Sequence, residues 1–213
     1  MAYQDPGKEA ERRTQALVKA VNSALDAHYK TAKTKASQRI SLSVAHGEGG
    51  IKRTPEEQAK SVWEKHSWSL NSAHMTDAAK HVLIKQGNVL TWNMQQIAQQ
   101  KEAYAVLKQA WNKAMADQDL RNFGGGKDFA YQSNDPLHME LPHSRLNDND
   151  PRVTRALEVY AKATRLEGKS KNMAYELDKG SDFQKNWLKA YDAKLAQAKA
   201  DEAAAKAALK KAP

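Results

Sequence analysis

Arg39-Ile-Ser-Leu-Ser-Val-Ala45 decides how this chain is to be read. Ile40, Leu42 and Val44 alternate with Ser41 and Ser43, the period-2 pattern of a strand with one buried face. Upstream, residues 8–36 carry Leu17, Val18, Val21, Leu25 and Tyr29 at helical spacing, which predicts a helix. Downstream, Gly47, Gly49 and Gly50 break the chain into a loop. Thr54-Pro55-Glu56-Glu57 then opens a second helix: the threonine caps, proline takes the first helical position, and acids fill the first turn. That helix is expected to run to about Lys65. A strand set between helices points to an α+β fold.

Further along, residues 67–92 read as irregular, with a short strand at His81-Val-Leu-Ile84 and a turn at Gln86-Gly-Asn88. Residues 93–117 predict a long helix burying Ile97, Tyr104, Leu107, Trp111 and Met115. Gly124-Gly-Gly126 marks another turn and Leu137-His-Met-Glu-Leu141 a last strand. After Asp148-Asn-Asp-Pro151 the composition shifts to Ala and Lys, helical in pattern and interrupted near Gly168 and Gly180. Trp187, Leu188 and Tyr191 form one apolar cluster suited to a helix–helix contact, whereas Ala193 to Lys211 has high helix propensity and few large apolar residues. The expected organisation is a compact α+β unit over residues 1–148, a small antiparallel sheet with packed helices, followed by a basic helical extension over 149–213.

Composition narrows the partners. The chain has no cysteine, which excludes a disulfide framework and a thiolate metal site. No apolar run approaches the roughly 18 residues of a membrane span. The opening Met-Ala-Tyr-Gln-Asp-Pro-Gly-Lys has no apolar segment, so no ordinary secretory signal is expected. Net charge is +9, and from Arg152 onward fourteen Lys and Arg face eight Asp and Glu, placing +6 in residues 152–213. Such an excess suits a polyanion: nucleic acid, anionic lipid or a carboxylate-rich wall. Nucleic acid is not expected, because no interleaved basic and aromatic surface or base-reading motif accompanies the charge. The triple glycine lacks the spacing of a phosphate loop.

Three histidines and one aspartate carry candidate chemistry. Hydrolysis at zinc needs three protein ligands, an open position for water, and a carboxylate to move that water's proton. His74 lies in the polar loop Asn71-Ser-Ala-His-Met, and His81 follows seven residues later at the start of an apolar strand. His138 faces away from Leu137 and Met139, on the strand face it shares with Pro136 and Glu140. Asp135 sits three residues before His138, held at the strand entry by Pro136. Each signal alone is weak, since a loop histidine is usually solvated and a strand histidine usually a hydrogen-bonded core residue. His28, His46, His66 and His143 match no ligand spacing, and Trp63, Trp68, Trp92 and Trp111 read as core.

Four segments in order give the pattern its specificity: Arg53-Thr-Pro-Glu-Glu-Gln-Ala59, Ser67-Trp-Ser-Leu-Asn-Ser-Ala-His74, Phe123-Gly-Gly-Gly-Lys-Asp-Phe129 and Asp135-Pro-Leu-His-Met-Glu-Leu141. Over roughly residues 15–142 the chain resembles the VanY-like zinc D,D-carboxypeptidases and L-alanyl-D-glutamate endopeptidases, peptidoglycan peptidases that include many bacteriophage endolysins. The resemblance implies that His74 and His138 are the first and last zinc ligands and that Asp135 is the catalytic acidic residue. It implies that Arg53 holds the substrate and steadies the developing oxyanion, and that Gln58 and Ser72 line the cleft. Two positions depart from the family. The middle ligand, normally aspartate, is His81, and a glycine three residues after the first histidine is Asp77. Imidazole is a sound neutral zinc ligand, and Asp77 offers a carboxylate nearby as an alternative ligand or as a partner for His81.

The expectation is therefore a zinc metallopeptidase cutting a peptide bond of the peptidoglycan stem peptide. It would be made in a host cytoplasm and act at the cell wall or from a virion, with the extension drawn to an anionic wall or outer-membrane surface. The competing expectation is a degenerate, non-catalytic peptidase-like domain that serves in virion structure or wall binding.

Overall fold

The computed structural model describes residues 3–45, 52–91, 94–122 and 137–211. The glycine loops at 47–50 and 124–126, His46, Trp92, Pro136 and Asp135 lie outside the described residues. Helices and a small antiparallel sheet of four strands form a mixed α+β fold with a C-terminal helix, as the sequence predicts. Contacts divide the chain into two compact units, Met1–Lys52 with Thr76–Arg145, and Arg53–Met75 with Leu146–Pro213.

In the first unit, helix α1 spans Pro6–Ala32, capped by the Asp5 carboxylate and closed by Lys33 in the left-handed region. It buries Ala10, Leu17, Val21, Leu25 and Tyr29 along one stripe. Strand β1 (Ile40–Val44) places Ile40 and Leu42 against that stripe and buries Val44 as well, its alternation as predicted. Its outer edge is covered by α1. Asn22 donates to the Leu42 carbonyl and accepts from the Leu42 N–H, both at 2.8 Å, and the Tyr29 hydroxyl accepts from the Ile40 N–H at 2.8 Å. These bonds occupy three of the backbone groups that an edge strand would otherwise present to another chain.

Strand β2 (Ala79–Gln86) is twice the length expected and is central to the sheet. It pairs antiparallel with β1, with β3 (Val89–Thr91) and with β4 (His138–Glu140). β3 was not foreseen, because three residues with Val89 and Leu90 exposed leave no alternation to detect. The hairpin turns on Gly87, at φ 59°, where a side chain would also meet the Ser37 backbone. The predicted helix at 93–117 is two helices, α3 (Met94–Gln99) and α4 (Lys101–Asp117). They are broken at Gln100, whose ψ of 68° is not helical and which no sequence breaker announces. Helix α4 packs Leu107, Trp111 and Met115 with α1 into the core that covers one sheet face.

In the second unit, α2 (Pro55–Trp63) starts with a full capping box. The Thr54 hydroxyl accepts from the Glu57 N–H, and the Glu57 carboxylate accepts from the Thr54 N–H. Helix α5 (Pro151–Arg165) follows a cap at Asp150, a π-helical turn covers Ala174–Lys179, and α6 runs over Asp182–Lys211. Ala59 and Val62 of α2 pack with Val153, Ala156, Leu157 and Tyr160 of α5, and Leu188, Trp187 and Tyr191 of α6 join the same cluster. Arg165 binds Glu176 at 2.6 Å and Asp192 at 2.9 Å, tying the π turn and α6 to α5. The contact grouping thus differs from a linear cut at residue 148. Residues 53–75 go with the C-terminal helices, because the apolar face of α2 is buried by α5. Among the described residues no helix is long and apolar enough to cross a membrane.

Two outcomes test this packing. A chain ending at Asn149 should leave Ala59, Val62, Leu70 and Met75 uncovered. Limited proteolysis should then cut within residues 53–75, and protection of that segment in the shortened chain would contradict the packing. Asn22→Ala should cost about 1–3 kcal/mol in urea denaturation, the usual range when buried strand groups lose their partner. Unchanged stability would show that water replaces the amide without loss.

Candidate metal centre

The pairing of β2 with β4 sets the site. Val82 N–H donates to the Leu137 carbonyl at 2.9 Å and Leu141 N–H to the Ala78 carbonyl at 3.0 Å. Hydrogen-bonded rows alternate with open ones in an antiparallel pair, so His81 opposite His138 and Ala79 opposite Glu140 fall on the open rows, where side chains stand closest. His81 Nε2 lies 3.4 Å from His138 Nδ1, with the rings 5.2 Å apart and edge to face. Glu140, two residues beyond His138 and on its face, meets His138 Nε2 through Oε2 at 3.0 Å. Arg145 grips the same carboxylate, Nε to Oε1 at 3.1 Å and Nη2 to Oε2 at 3.2 Å. Burial raises the Glu140 pKa, but the hydrogen bonds from His138 and Arg145 outweigh it and hold the carboxyl below its usual range.

His74 occupies a 3-10 turn, Ala73–Thr76. The Ser72 hydroxyl accepts from the His74 N–H at 3.2 Å, the Ser72 carbonyl accepts from Met75 at 3.1 Å, and the His74 carbonyl accepts from the Arg53 N–H at 3.0 Å. His74 and His138 are buried and His81 is partly exposed, and each offers one nitrogen within 4.8 Å of the others. This cluster could hold a metal ion. Two nitrogens bound tetrahedrally to zinc at about 2.0–2.1 Å stand about 3.4 Å apart, which is the spacing of His81 and His138. Three imidazole donors are a set that zinc, copper, iron and nickel all accept.

The remaining sequence candidates sort by their contacts. Gln58 is wholly buried, and its amide donates to the Ser67 hydroxyl at 2.9 Å and the Ser69 carbonyl at 2.6 Å while accepting from Arg53 at 3.1 Å. Its contacts orient Arg53 rather than line a cleft. Ser72 shapes the turn that carries His74. Among the described residues Asp77 belongs to no cluster with ligand spacing. It sits at φ 60°, a conformation glycine adopts without strain, and its carboxylate pairs with Lys80 at 2.8 Å and lies against Gly7 in the first turn of α1. Glu140 and Arg145 were not singled out as site residues. The strand period did place Glu140 on the face of His138, but nothing local links it to Arg145 across the turn that follows β4. Comparison with family models, curated proteins and solved structures found no match to this chain.

The strain at Asp77 is measurable. Asp77→Ala should be less stable than Asp77→Gly by about 1 kcal/mol in urea denaturation, since alanine resists positive φ and glycine does not. Both should fall below the native chain, because Lys80, 9 % exposed, loses its carboxylate. Equal stability of the two variants would show that residue 77 leaves the left-handed region when altered.

Proposed function

We propose that this protein is a zinc-dependent peptidase that cleaves a peptide bond in the stem peptide of peptidoglycan. The observation that carries the reading is the convergence of His74, His81 and His138 within ligand distance, from positions 7 and 57 residues apart along the chain. These three side chains would hold the zinc. Bound there, the ion would supply Lewis acidity and a water of lowered pKa. Asp135, assigned from its place three residues before His138, would accept the proton of the attacking water and pass it to the leaving amine. Arg53, held by Gln58, would bind a substrate carboxylate or the developing oxyanion. The basic C-terminal helix would draw the enzyme to an anionic wall or outer-membrane surface.

One observation favours a second reading. His81, His138, Glu140 and Arg145 already form a connected polar chain, so the cluster could serve as a buried structural network in a non-catalytic wall-binding or virion protein.

Metal content separates the two. Purified protein should carry about one zinc per chain and His138→Ala should lose it, while His81→Asp should retain a metal that His81→Ala loses. Asp135→Asn should keep zinc and fold yet lose muropeptide cleavage by about 10²-fold or more. Protein that cannot be loaded with zinc, or loaded protein that leaves peptidoglycan intact, would remove the peptidase reading.

A further inference from the structure

We infer that Glu140 and Arg145 are positioning residues for the metal centre: they fix His138 as its Nε2–H tautomer, so that Nδ1 carries no proton and is directed at His81. The inference rests on the three histidines being metal ligands, as proposed above, and not on what the centre cleaves. Neutral imidazole holds one proton and can place it on either nitrogen. His138 Nε2 stands 3.0 Å from a carboxylate oxygen in a buried site. With the proton on Nε2 that contact is a charge-assisted hydrogen bond. With the proton on Nδ1 it sets two lone pairs against each other where no water can intervene, a costly arrangement.

Arg145 completes the device. A carboxylate held by one histidine could turn about its own axis. The guanidinium fork, Nε on Oε1 and Nη2 on Oε2, fixes its plane and with it the direction of the His138 ring. The proton count at the other nitrogen then follows. His138 Nδ1 and His81 Nε2 are 3.4 Å apart, so an unprotonated Nδ1 is directed at the space the two rings share. Two lone pairs on the same site are what a cation needs, and the Glu140 hydrogen bond supplies the one on His138. Ligating histidines held by a carboxylate through their second nitrogen are a general feature of metal sites, and removing such a partner typically costs 10–100-fold in metal affinity.

The test uses the full-length chain, selectively labelled with nitrogen-15 histidine, as wild type, Glu140→Gln, Glu140→Ala and Arg145→Gln. Long-range proton–nitrogen spectra of the metal-free protein near pH 7.5 read the tautomer, and chelator competition reads zinc affinity. Wild type should show His138 protonated at Nε2 alone. Glu140→Gln can still accept that proton, so it should fold, keep the tautomer and lose less affinity than Glu140→Ala. Glu140→Ala should show mixed tautomers and bind zinc about 10–100-fold more weakly. Arg145→Gln should lie between native and Glu140→Ala in both readouts. An Nδ1–H or doubly protonated His138 in the wild type, no zinc binding by the wild type, or zinc affinity unchanged in Glu140→Ala would each overturn the inference. Zinc binding with the expected tautomers but no cleavage of muropeptides would leave it standing and remove only the peptidase reading.

Discussion

The register of β2 against β4 is the constraint on which both the core and the candidate centre depend. Opposed residues in an antiparallel pair point the same way, so one registration assigns every side chain on two strands. With His81 opposite His138, the chain turns Val82, Leu137, Met139 and Leu141 into the core shared with α1 and α4. The same registration turns His81, His138 and Glu140 to the other face. A slip of one residue would bury imidazole and carboxylate among leucines and expose the apolar set. The hydrophobic effect that fixes the sheet therefore also brings the two imidazoles together. The stability of the centre is inseparable from that of the core.

Burying polar groups on the second face demands partners, and the structure supplies them in series. His138 and Glu140 are almost completely buried and would be costly without compensation. Arg145, a third exposed, brings charge to the buried carboxylate while keeping part of its own hydration. The chain Arg145–Glu140–His138 leaves both buried groups hydrogen-bonded, with the charge of the carboxylate met by the guanidinium.

How much of this was legible in the sequence depends on the range of the interaction. Local signals were reliable. The alternation at Ile40–Val44, the cap at Thr54 with Pro55, and the breaks near Gly168 and Gly180 each act within a few residues and were found where expected. The three histidines were legible only as a set of spacings, yet the fold brings them together. What escaped was set by tertiary partners. β3 exists because β2 offers it an edge, and the break at Gln100 follows no residue preference. Gln58 reads as a cleft residue by its place in a motif, but burial gives its amide to Ser67, Ser69 and Arg53. The partnership of α2 with α5 spans about ninety residues, and no periodicity within either helix names the other.

The C-terminal helix divides into halves held by different forces. Up to Tyr191 and Asp192 it is anchored by Leu188 in the second apolar cluster and by the ion pair of Asp192 with Arg165. From Ala196 to Ala208 every residue is exposed. With its side chains in solvent, that stretch owes its helicity to alanine content and to local pairs such as Gln197 with Asp201 and Lys206 with Glu202. These contribute only tenths of a kcal/mol each, so the far half remains helical chiefly because the anchored half has already nucleated it. The arrangement also sorts the charge. Arg165 is neutralised inside its own unit, whereas Lys194, Lys199 and Lys206 stand on the exposed helix. The basic excess read from the composition is thus, in part, a solvent-facing rod of lysines. Exposed charge of that kind is screened by salt, whereas the partly buried pairs of Arg165 with Glu176 and Asp192 are screened much less.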